Sequence, residues 1–199
     1  MAYSEATFPE LKTKYGILQD YQNLGFEFVQ ESKLSQRLQE DIDDGKAMPV
    51  VSEKAKSEFL LAPIFRELQR KNPNITLFSG ISFNLKNDKF LQGTPDFMIS
   101  ARPRRANVEA PIFCMVEAKN GSIEEGFAQC AAEIYAARIF NQEMKEPYET
   151  IYGAVTNAYD WVFLKLEGNT VWIDKERFFL NELPKLMGIL QYIVEQYKD

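Results

Sequence analysis

The segment that decides the fold is "IFCMVEAKNG", which runs from Ile112 to Gly121. Its opening residues are apolar at consecutive positions, which is typical of a central strand covered on both faces. The strand then ends on Glu117, Ala118 and Lys119. Because side chains alternate along a strand, Glu117 and Lys119 point to one side and Ala118 to the other. A covered strand that ends in a carboxylate and an ammonium group predicts that these charges act together.

A second carboxylate opens the preceding strand, in "GTPDFMIS" from Gly93 to Ser100. Pro95-Asp96 is the single Pro-Asp pair among the nine prolines. Two carboxylates that converge on one point can hold Mg²⁺ or Mn²⁺, which prefer oxygen ligands. Without a metal they would repel, and one would tend to take up a proton. The alternative is a structural ion pair between Glu117 and Lys119.

Such a site suits phosphodiester hydrolysis. A bound metal polarises the phosphate and lowers the pKa of its bound water. The Ala118 carbonyl offers a further ligand from the backbone. Lys119 would orient or activate the water and stabilise the transition state.

The length of 199 residues predicts one domain with a substantial core. The apolar runs are too short to span a bilayer, and "MAYSEATFPELK" has no apolar signal region. The sequence therefore predicts a cytoplasmic protein with no membrane partner. Cys114 and Cys130 stand in apolar surroundings, which favours buried thiols over a disulfide.

The absence of histidine excludes several kinds of site. It removes Ser-His-Asp and Cys-His nucleophilic sites, and two cysteines alone cannot build a zinc tetrahedron. No Gly-rich phosphate loop is present. A hydrolytic site in this chain would depend on carboxylates, lysine and a metal ion that prefers oxygen ligands. The net charge of −6 argues mildly against non-specific nucleic-acid binding and does not exclude a local basic patch.

The hydropathy pattern predicts an α/β domain with a mixed sheet flanked by helices. Residues 1–50 are predicted as a helical N-terminal extension, 52–174 as the core and 181–198 as a C-terminal helix. In the extension, "TFPELKTKYGILQDYQNLG" predicts a helix capped by Thr7 and continuing through Leu18. A second helix is predicted in "QESKLSQRLQEDI".

The core pattern alternates helices and strands. A helix is predicted to start at Ser52 and end at Asn72, followed by strands in "ITLFSGISFNL", "DFMISA" and "PIFCMVEAK". A helix capped by Ser122, with Glu125 three residues on, comes next. The stretch "TIYGAVTNAYDWVFLKLEGNTVWID" predicts three strands with a tight Gly-Asn turn.

The order Gly93-Thr94-Pro95-Asp96, a loop and then Glu117-Ala118-Lys119 resembles the PD-(D/E)xK nuclease superfamily, the fold of many restriction endonucleases. "TNAYDWVFLKL" is similar to a stretch of several restriction-type domains. The resemblance covers roughly residues 52–174. It implies a restriction-endonuclease-like core with a central mixed sheet.

The resemblance also implies two site residues on helices. Glu58 matches an acidic residue that completes the metal shell, although a glutamate there is also favoured by the helix dipole. Gln129 resembles a glutamine directed toward the site, and its alternative role is to cap a strand end. Where subfamilies with this glutamine often carry tyrosine four residues later, this chain has Glu133. The predicted catalytic residues are Asp96, Glu117, Lys119 and Gln129, and the predicted metal ligands are Glu58, Asp96, Glu117 and Ala118.

The resulting hypothesis is a Mg²⁺- or Mn²⁺-dependent nuclease that acts on nucleic acid, with DNA as the expected substrate. The alternatives are a binding or assembly module that retains the fold without turnover and a phosphoesterase acting on another substrate. The expected assembly is a homodimer or a larger restriction- or repair-type complex, and the C-terminal helix either forms a dimer surface or covers the sheet. The loop before Ile112 contains three arginines, Arg102, Arg104 and Arg105. They either contact phosphates or are solvated.

Overall fold

Ten strands lie in the part of the chain that the computed structural model describes, residues 2–197. They are β1 (Leu18–Gln22), β2 (Thr76–Ser79), β3 (Phe83–Asn84), β4 (Gln92–Gly93), β5 (Phe97–Ser100), β6 (Ile112–Ala118), β7 (Ile151–Thr156), β8 (Asp160–Glu167), β9 (Thr170–Asp174) and β10 (Phe178–Phe179). Eight form one mixed sheet in the order β1-β9-β8-β7-β6-β5-β2, with β10 paired to β8, while β3 and β4 pair separately. The predicted α/β class with a mixed central sheet is confirmed.

Helices cover both faces of the large sheet. They are α1 (Phe8–Tyr15), α2 (Gln36–Ala47), α3 (Glu53–Lys56), α4 (Ala62–Lys71), α5 (Phe127–Glu143) and α6 (Leu183–Glu195). Helices α2, α4 and α6 pack in one core with Phe97 and Val116, whereas α1 and α5 pack in a second core with Met98 and Met115. Because consecutive strand residues point to opposite faces, these two cores lie on opposite sides of the sheet.

Strand β6 is the covered strand that its apolar run predicts. All seven of its residues are buried, and it pairs antiparallel with β5 and parallel with β7. Helix α5 supplies the crossover that the parallel pair requires. Strands β7, β8 and β9 then form antiparallel pairs, with Glu167 opposite Thr170 across the predicted Gly-Asn turn.

The N-terminal extension differs from the predicted all-helical segment. Thr7 caps α1 as predicted, with its Oγ1 accepting a hydrogen bond from the Glu10 N–H at 3.4 Å. The helix ends at Tyr15 because Gly16 adopts a left-handed backbone with φ of 68°. Leu18 therefore begins β1, which pairs parallel with β9 at the edge of the sheet. The prediction that the first helix continues through Leu18 is wrong.

Two further helices differ in detail from their predictions. Helix α2 begins only at Gln36, because the Ser35 Oγ accepts a hydrogen bond from the Leu38 N–H at 3.1 Å. The helix predicted to start at Ser52 does form, but its middle changes to a π-helical turn over Ser57–Leu61 between α3 and α4.

The last two helices also depart slightly from the sequence pattern. A 3-10 turn over Ile123–Gly126 precedes α5, and the Ser122 hydroxyl makes no cap bond but donates to Glu124. Residues 181–182 belong to a 3-10 turn before α6, and residue 198 of the predicted helix lies outside the described residues. Helix α6 buries Leu186 and Leu190 in the core, as a helix that covers the sheet does.

The thiols of Cys114 and Cys130 are both free and buried, as predicted. Within residues 2–197, we find no helix with the length and apolar character needed to cross a membrane.

Candidate active site

The pairing of β5 with β6 brings the two predicted carboxylates to one face of the sheet. Phe97 lies opposite Val116 in this antiparallel pair, so the next position places Asp96 beside Glu117. Residues directly opposite each other in a sheet point to the same face. By alternation from Val116, this is the face covered by α5.

Direct hydrogen bonds join the predicted strand residues. The Asp96 Oδ2 accepts from the Ala118 N–H at 2.8 Å. The Lys119 Nζ donates to the Glu117 Oε1 at 2.9 Å and to the Gln129 Oε1 at 2.8 Å. Asp96, Glu117, Lys119 and Gln129 are therefore brought together at the end of β6.

The Ala118 carbonyl, the predicted backbone ligand, points toward this cluster. The Lys119 N–H donates to the Thr156 carbonyl of β7 at 2.7 Å. In a trans peptide the C=O and the following N–H point in opposite directions. The Ala118 carbonyl is therefore directed away from β7 and toward the side on which Asp96 lies.

Glu133 also belongs to this cluster, although it was not among the predicted site residues. Its side chain on α5 is fully buried, and its Oε1 accepts a hydrogen bond from the Gln129 Nε2 at 3.2 Å. This bond turns the Gln129 Oε1 toward Lys119, since an amide presents its oxygen and nitrogen in different directions. No N–H or O–H group within residues 2–197 donates to the Oε2 atoms of Glu117 and Glu133, and the two carboxyl groups lie close enough to share a proton.

Burial dominates the electrostatics of this cluster. It raises the pKa of Glu117 to about 7, with a further contribution from the Asp96 charge. Burial and the charge of Glu117 raise the pKa of Glu133 well above its usual range, and burial also raises the pKa of Asp96. Burial alone would lower the pKa of Lys119, but its hydrogen bond to Glu117 and the surrounding carboxylates outweigh this and raise it. One lysine thus faces three carboxyl groups, an arrangement that favours binding of protons or a cation.

Gly126 provides the space for the Lys119 stem. A Cβ atom at Gly126 would lie 2.5 Å from the Val155 Cγ1 and 3.2 Å from the Lys119 Cε. A larger residue here would have to displace one of these two side chains. The turn before α5 therefore helps to fix the position of the lysine.

Glu58 is not brought into this cluster. Its side chain is 55% exposed and lies 3.8 Å from the Lys54 Nζ, and it lines a separate surface pocket with Asp41 and Asp44. The carboxylate of this helical segment that acts on the site is Glu53, whose charge contributes to raising the pKa of both Asp96 and Lys119. Residues five positions apart lie about 140° apart around an α-helix, so Glu53 and Glu58 face in different directions.

Helix α3 also fixes the turn that follows β6. The Glu53 Oε1 accepts from the Asn120 N–H at 2.9 Å, and the buried Lys56 Nζ donates to the Asn120 carbonyl at 3.2 Å. Neither residue carries a signal in the sequence beyond its place on a polar helix. Their contacts with the backbone appear only when the helix is packed beside the end of the strand.

Among the described residues 2–197, no group of three or more His, Cys, Asp or Glu side chains is arranged to hold a metal ion. The donors that converge are two carboxylates, from Asp96 and Glu117, and the Ala118 carbonyl. This set fits Mg²⁺, which keeps several waters and commonly uses only one or two protein carboxylates. The Glu117 Oε2, to which no N–H or O–H group of the described residues donates, is the observation in this structure that favours a bound cation, with a proton shared with Glu133 as the metal-free alternative.

Comparison of the chain with protein families, curated proteins and solved structures found no match.

The raised pKa of Glu117 predicts that the metal-free protein loses stability as the pH rises. The folded state holds this proton more tightly than the unfolded state, whose carboxyl titrates at its usual 4.5. The stabilisation is complete below pH 4.5 and is lost as the pH rises through about 7, with a change of roughly 3 kcal/mol. Urea unfolding at pH 4.5 and pH 8 measures this difference.

Two variants test the assignment of this pH dependence. Glu117→Gln should reduce the loss of stability between the two pH values, and the remainder should come from Glu133 and Asp96, whose pKa values are also raised. Glu58→Gln, which changes an exposed glutamate outside the cluster, should leave it unchanged. An equally steep loss in Glu117→Gln would mean that another group causes it.

Proposed function

We propose that this chain is a metal-dependent nuclease that hydrolyses phosphodiester bonds of nucleic acid, with DNA as its expected substrate. The observation that carries the proposal is the convergence of Asp96, Glu117 and Lys119 at one end of β6, where Lys119 donates to Glu117 and the Ala118 N–H donates to Asp96. The mixed sheet flanked by helices is compatible with the restriction-endonuclease-like core that the sequence resemblance implies.

The residues of the site would have separate roles in phosphodiester hydrolysis. Asp96, Glu117 and the Ala118 carbonyl would hold Mg²⁺ or Mn²⁺. Such an ion supplies polarisation of the phosphate and a bound water of lowered pKa. The Lys119 ammonium lies beside the carboxylates, where it orients the attacking water and offsets charge that develops on phosphate oxygens.

Gln129 serves as the positioning residue for this lysine. Its Oε1 accepts from Lys119, while Glu133 accepts from its Nε2 and so fixes the orientation of the amide. When Glu117 binds a metal, Gln129 remains as an acceptor that holds the ammonium group at the site.

A second candidate function is a binding or assembly module without turnover. The ion pair between Glu117 and Lys119 favours this function. The Lys119 ammonium already has two acceptors, Glu117 and Gln129, so its position is explained without a catalytic role. It is also favoured by the net charge of −6, which does not promote binding to nucleic acid.

Cleavage assays distinguish the two functions. Single- and double-stranded DNA and RNA would be incubated with the protein in Mg²⁺, in Mn²⁺ or in EDTA. The nuclease proposal predicts metal-dependent cleavage that Asp96→Asn abolishes. The variant should remain folded, because the asparagine oxygen can still accept the hydrogen bond from the Ala118 N–H. If no nucleic acid is cut under any metal while the protein is folded, the nuclease proposal fails, and the binding module or a phosphoesterase acting on another substrate remains.

The proposed metal site also predicts ligand-dependent stabilisation. A metal that binds only the folded state at about 100 times its Kd should add about 2.7 kcal/mol to the free energy of unfolding. Asp96→Asn should remove this gain and leave the metal-free fold intact or slightly more stable. Thermal unfolding with and without millimolar Mg²⁺ or Mn²⁺ measures it, and an unchanged wild-type melting temperature would argue against a preformed site.

A further inference from the structure

Four arginines line a pocket of about 410 Å³ that lies apart from the candidate active site. Helix α2 contributes Arg37, helix α4 contributes Arg66 and Arg70, and the loop between β5 and β6 contributes Arg104. Gln69 and Pro73 complete its walls.

The pocket carries an excess of positive charge. Arg66 pairs with Asp41 at 3.3 Å, and Arg70 pairs with Glu67 at 2.8 Å. Within residues 2–197, neither Arg37 nor Arg104 has a side-chain hydrogen bond or ion pair. Arg66 also lines the adjoining pocket that contains Asp41, Asp44 and Glu58, so the excess positive charge of the arginine pocket comes from Arg37 and Arg104.

Buried contacts hold α2 and α4 together beneath this pocket. Glu67, only 3% exposed, accepts from the Ser35 Oγ at 3.0 Å and pairs with Arg70. Ser35 is the N-cap of α2, so this bond joins the start of one helix to the other. The Gln69 Oε1 accepts from the Leu77 N–H at 3.0 Å, which leaves its NH₂ group as a donor on the pocket wall.

The loop that carries Arg104 is fastened on both sides of this residue. The Thr76 Oγ1 of β2 donates to the Arg102 carbonyl at 2.5 Å and accepts from the Arg105 N–H at 3.2 Å. The neighbouring guanidinium groups are engaged elsewhere, since Arg102 pairs with Glu146 and Arg105 with Glu109. Of the three loop arginines, Arg104 alone lines the pocket.

The position of the pocket separates it from the proposed chemistry. The candidate active site lies where β6 ends, at Ala118, whereas Arg104 lies in the loop that enters β6 at Ile112. Seven strand residues at about 3.3 Å each place roughly 20 Å between these two ends of the strand. A phosphate at the pocket is therefore not the phosphate that Asp96 and Glu117 would act on.

We propose that this arginine pocket binds the phosphate groups of a small organic phosphate of nucleotide size. The planar guanidinium fork matches phosphate oxygens, and the two unpaired arginines balance the charge of one phosphate monoester group, about −2 at neutral pH. The volume of about 410 Å³ lies within the range of small-ligand pockets. The site is independent of the proposed nuclease function.

Calorimetric titration of the full chain with ATP and with inorganic pyrophosphate, in EDTA, tests the proposal without involving metal at the other site. Saturable binding is expected for both probes. Arg37→Gln and Arg104→Gln should each weaken it by about 10- to 100-fold, the effect of losing a hydrogen bond to a charged group. Arg37 is an exposed helix residue, so its variant tests the site even if the loop variant misfolds.

Arg105→Gln is the matched control, because it removes the same charge from the same loop outside the pocket. It should change the Kd by less than about twofold, given that exposed charges act weakly at physiological salt. Equal weakening in this control would show general charge attraction and would overturn the proposal. The absence of saturable binding by the wild type, or binding of a DNA oligonucleotide but of neither small probe, would also overturn it.

Discussion

The variant Lys119→Ala is expected to lower the rate of phosphodiester cleavage by about 10²–10⁴-fold, the usual loss when acid–base assistance is removed. Its metal affinity should not fall, because Asp96 and Glu117 remain. Glu117→Ala, by contrast, should lose both metal binding and cleavage. Single-turnover cleavage rates and metal titrations on the two variants measure this difference.

Lys165→Ala is a suitable control for the lysine variant. Lys165 pairs with Glu167 at 2.7 Å and has a side-chain exposure of 24%, close to the 19% of Lys119, but it lies on β8. The Lys165→Ala variant should cleave at the wild-type rate. Wild-type cleavage by Lys119→Ala would remove the lysine from the mechanism. If Lys119→Ala melts at a lower temperature and the wild type cuts no nucleic acid, the lysine has a structural role and the nuclease proposal fails in favour of the binding module.

Tyr3→Ala is expected to lower the free energy of unfolding by about 3–5 kcal/mol, as for other large buried aromatic residues. Tyr3 is 1% exposed, and its hydroxyl donates to the carbonyls of Phe83 at 2.8 Å and Leu91 at 3.2 Å. Its ring also lies so close to Gly93 that a Cβ there would be 2.6 Å from it. Because Gly93 lies only three residues before Asp96, the variant should also reduce metal binding.

The hydroxyl and the ring of Tyr3 can be separated by a second variant. Tyr3→Phe leaves the ring in place and removes the donor from two carbonyls, so a loss of about 1 kcal/mol is expected. Tyr21→Ala, on the exposed strand β1, should change stability by less than about 0.5 kcal/mol. Urea unfolding measures all three variants, and a similar loss for Tyr21→Ala would show that Tyr3 has no special role.

The parts of the fold that the sequence predicted are those governed by local pattern. The uninterrupted apolar run predicted that β6 is covered, and alternation along it predicted that Glu117 and Lys119 meet. Turn residues predicted the β7–β9 meander. These features require only the chain's own periodicity and its nearest neighbours in the sheet.

Other features depend on tertiary contacts that no local pattern records. Leu18 fits a helical spacing, but Gly16 ends the helix and the next segment pairs with β9. Rotation around the helix places Glu53 at the site instead of Glu58. Glu133 did have one available signal, since it is the single charged residue between positions 127 and 137.

The pairing of β1 with β9 has a consequence for how the chain folds during its synthesis. These strands come from opposite ends of the sequence, and the Leu24 N–H reaches the Asp174 Oδ1 across 150 positions. The N-terminal segment therefore emerges from the ribosome long before its partner exists. Contacts between distant residues form slowly because the intervening loop must first close. We expect β1 to join the sheet last, after the β8–β9 hairpin has left the ribosome.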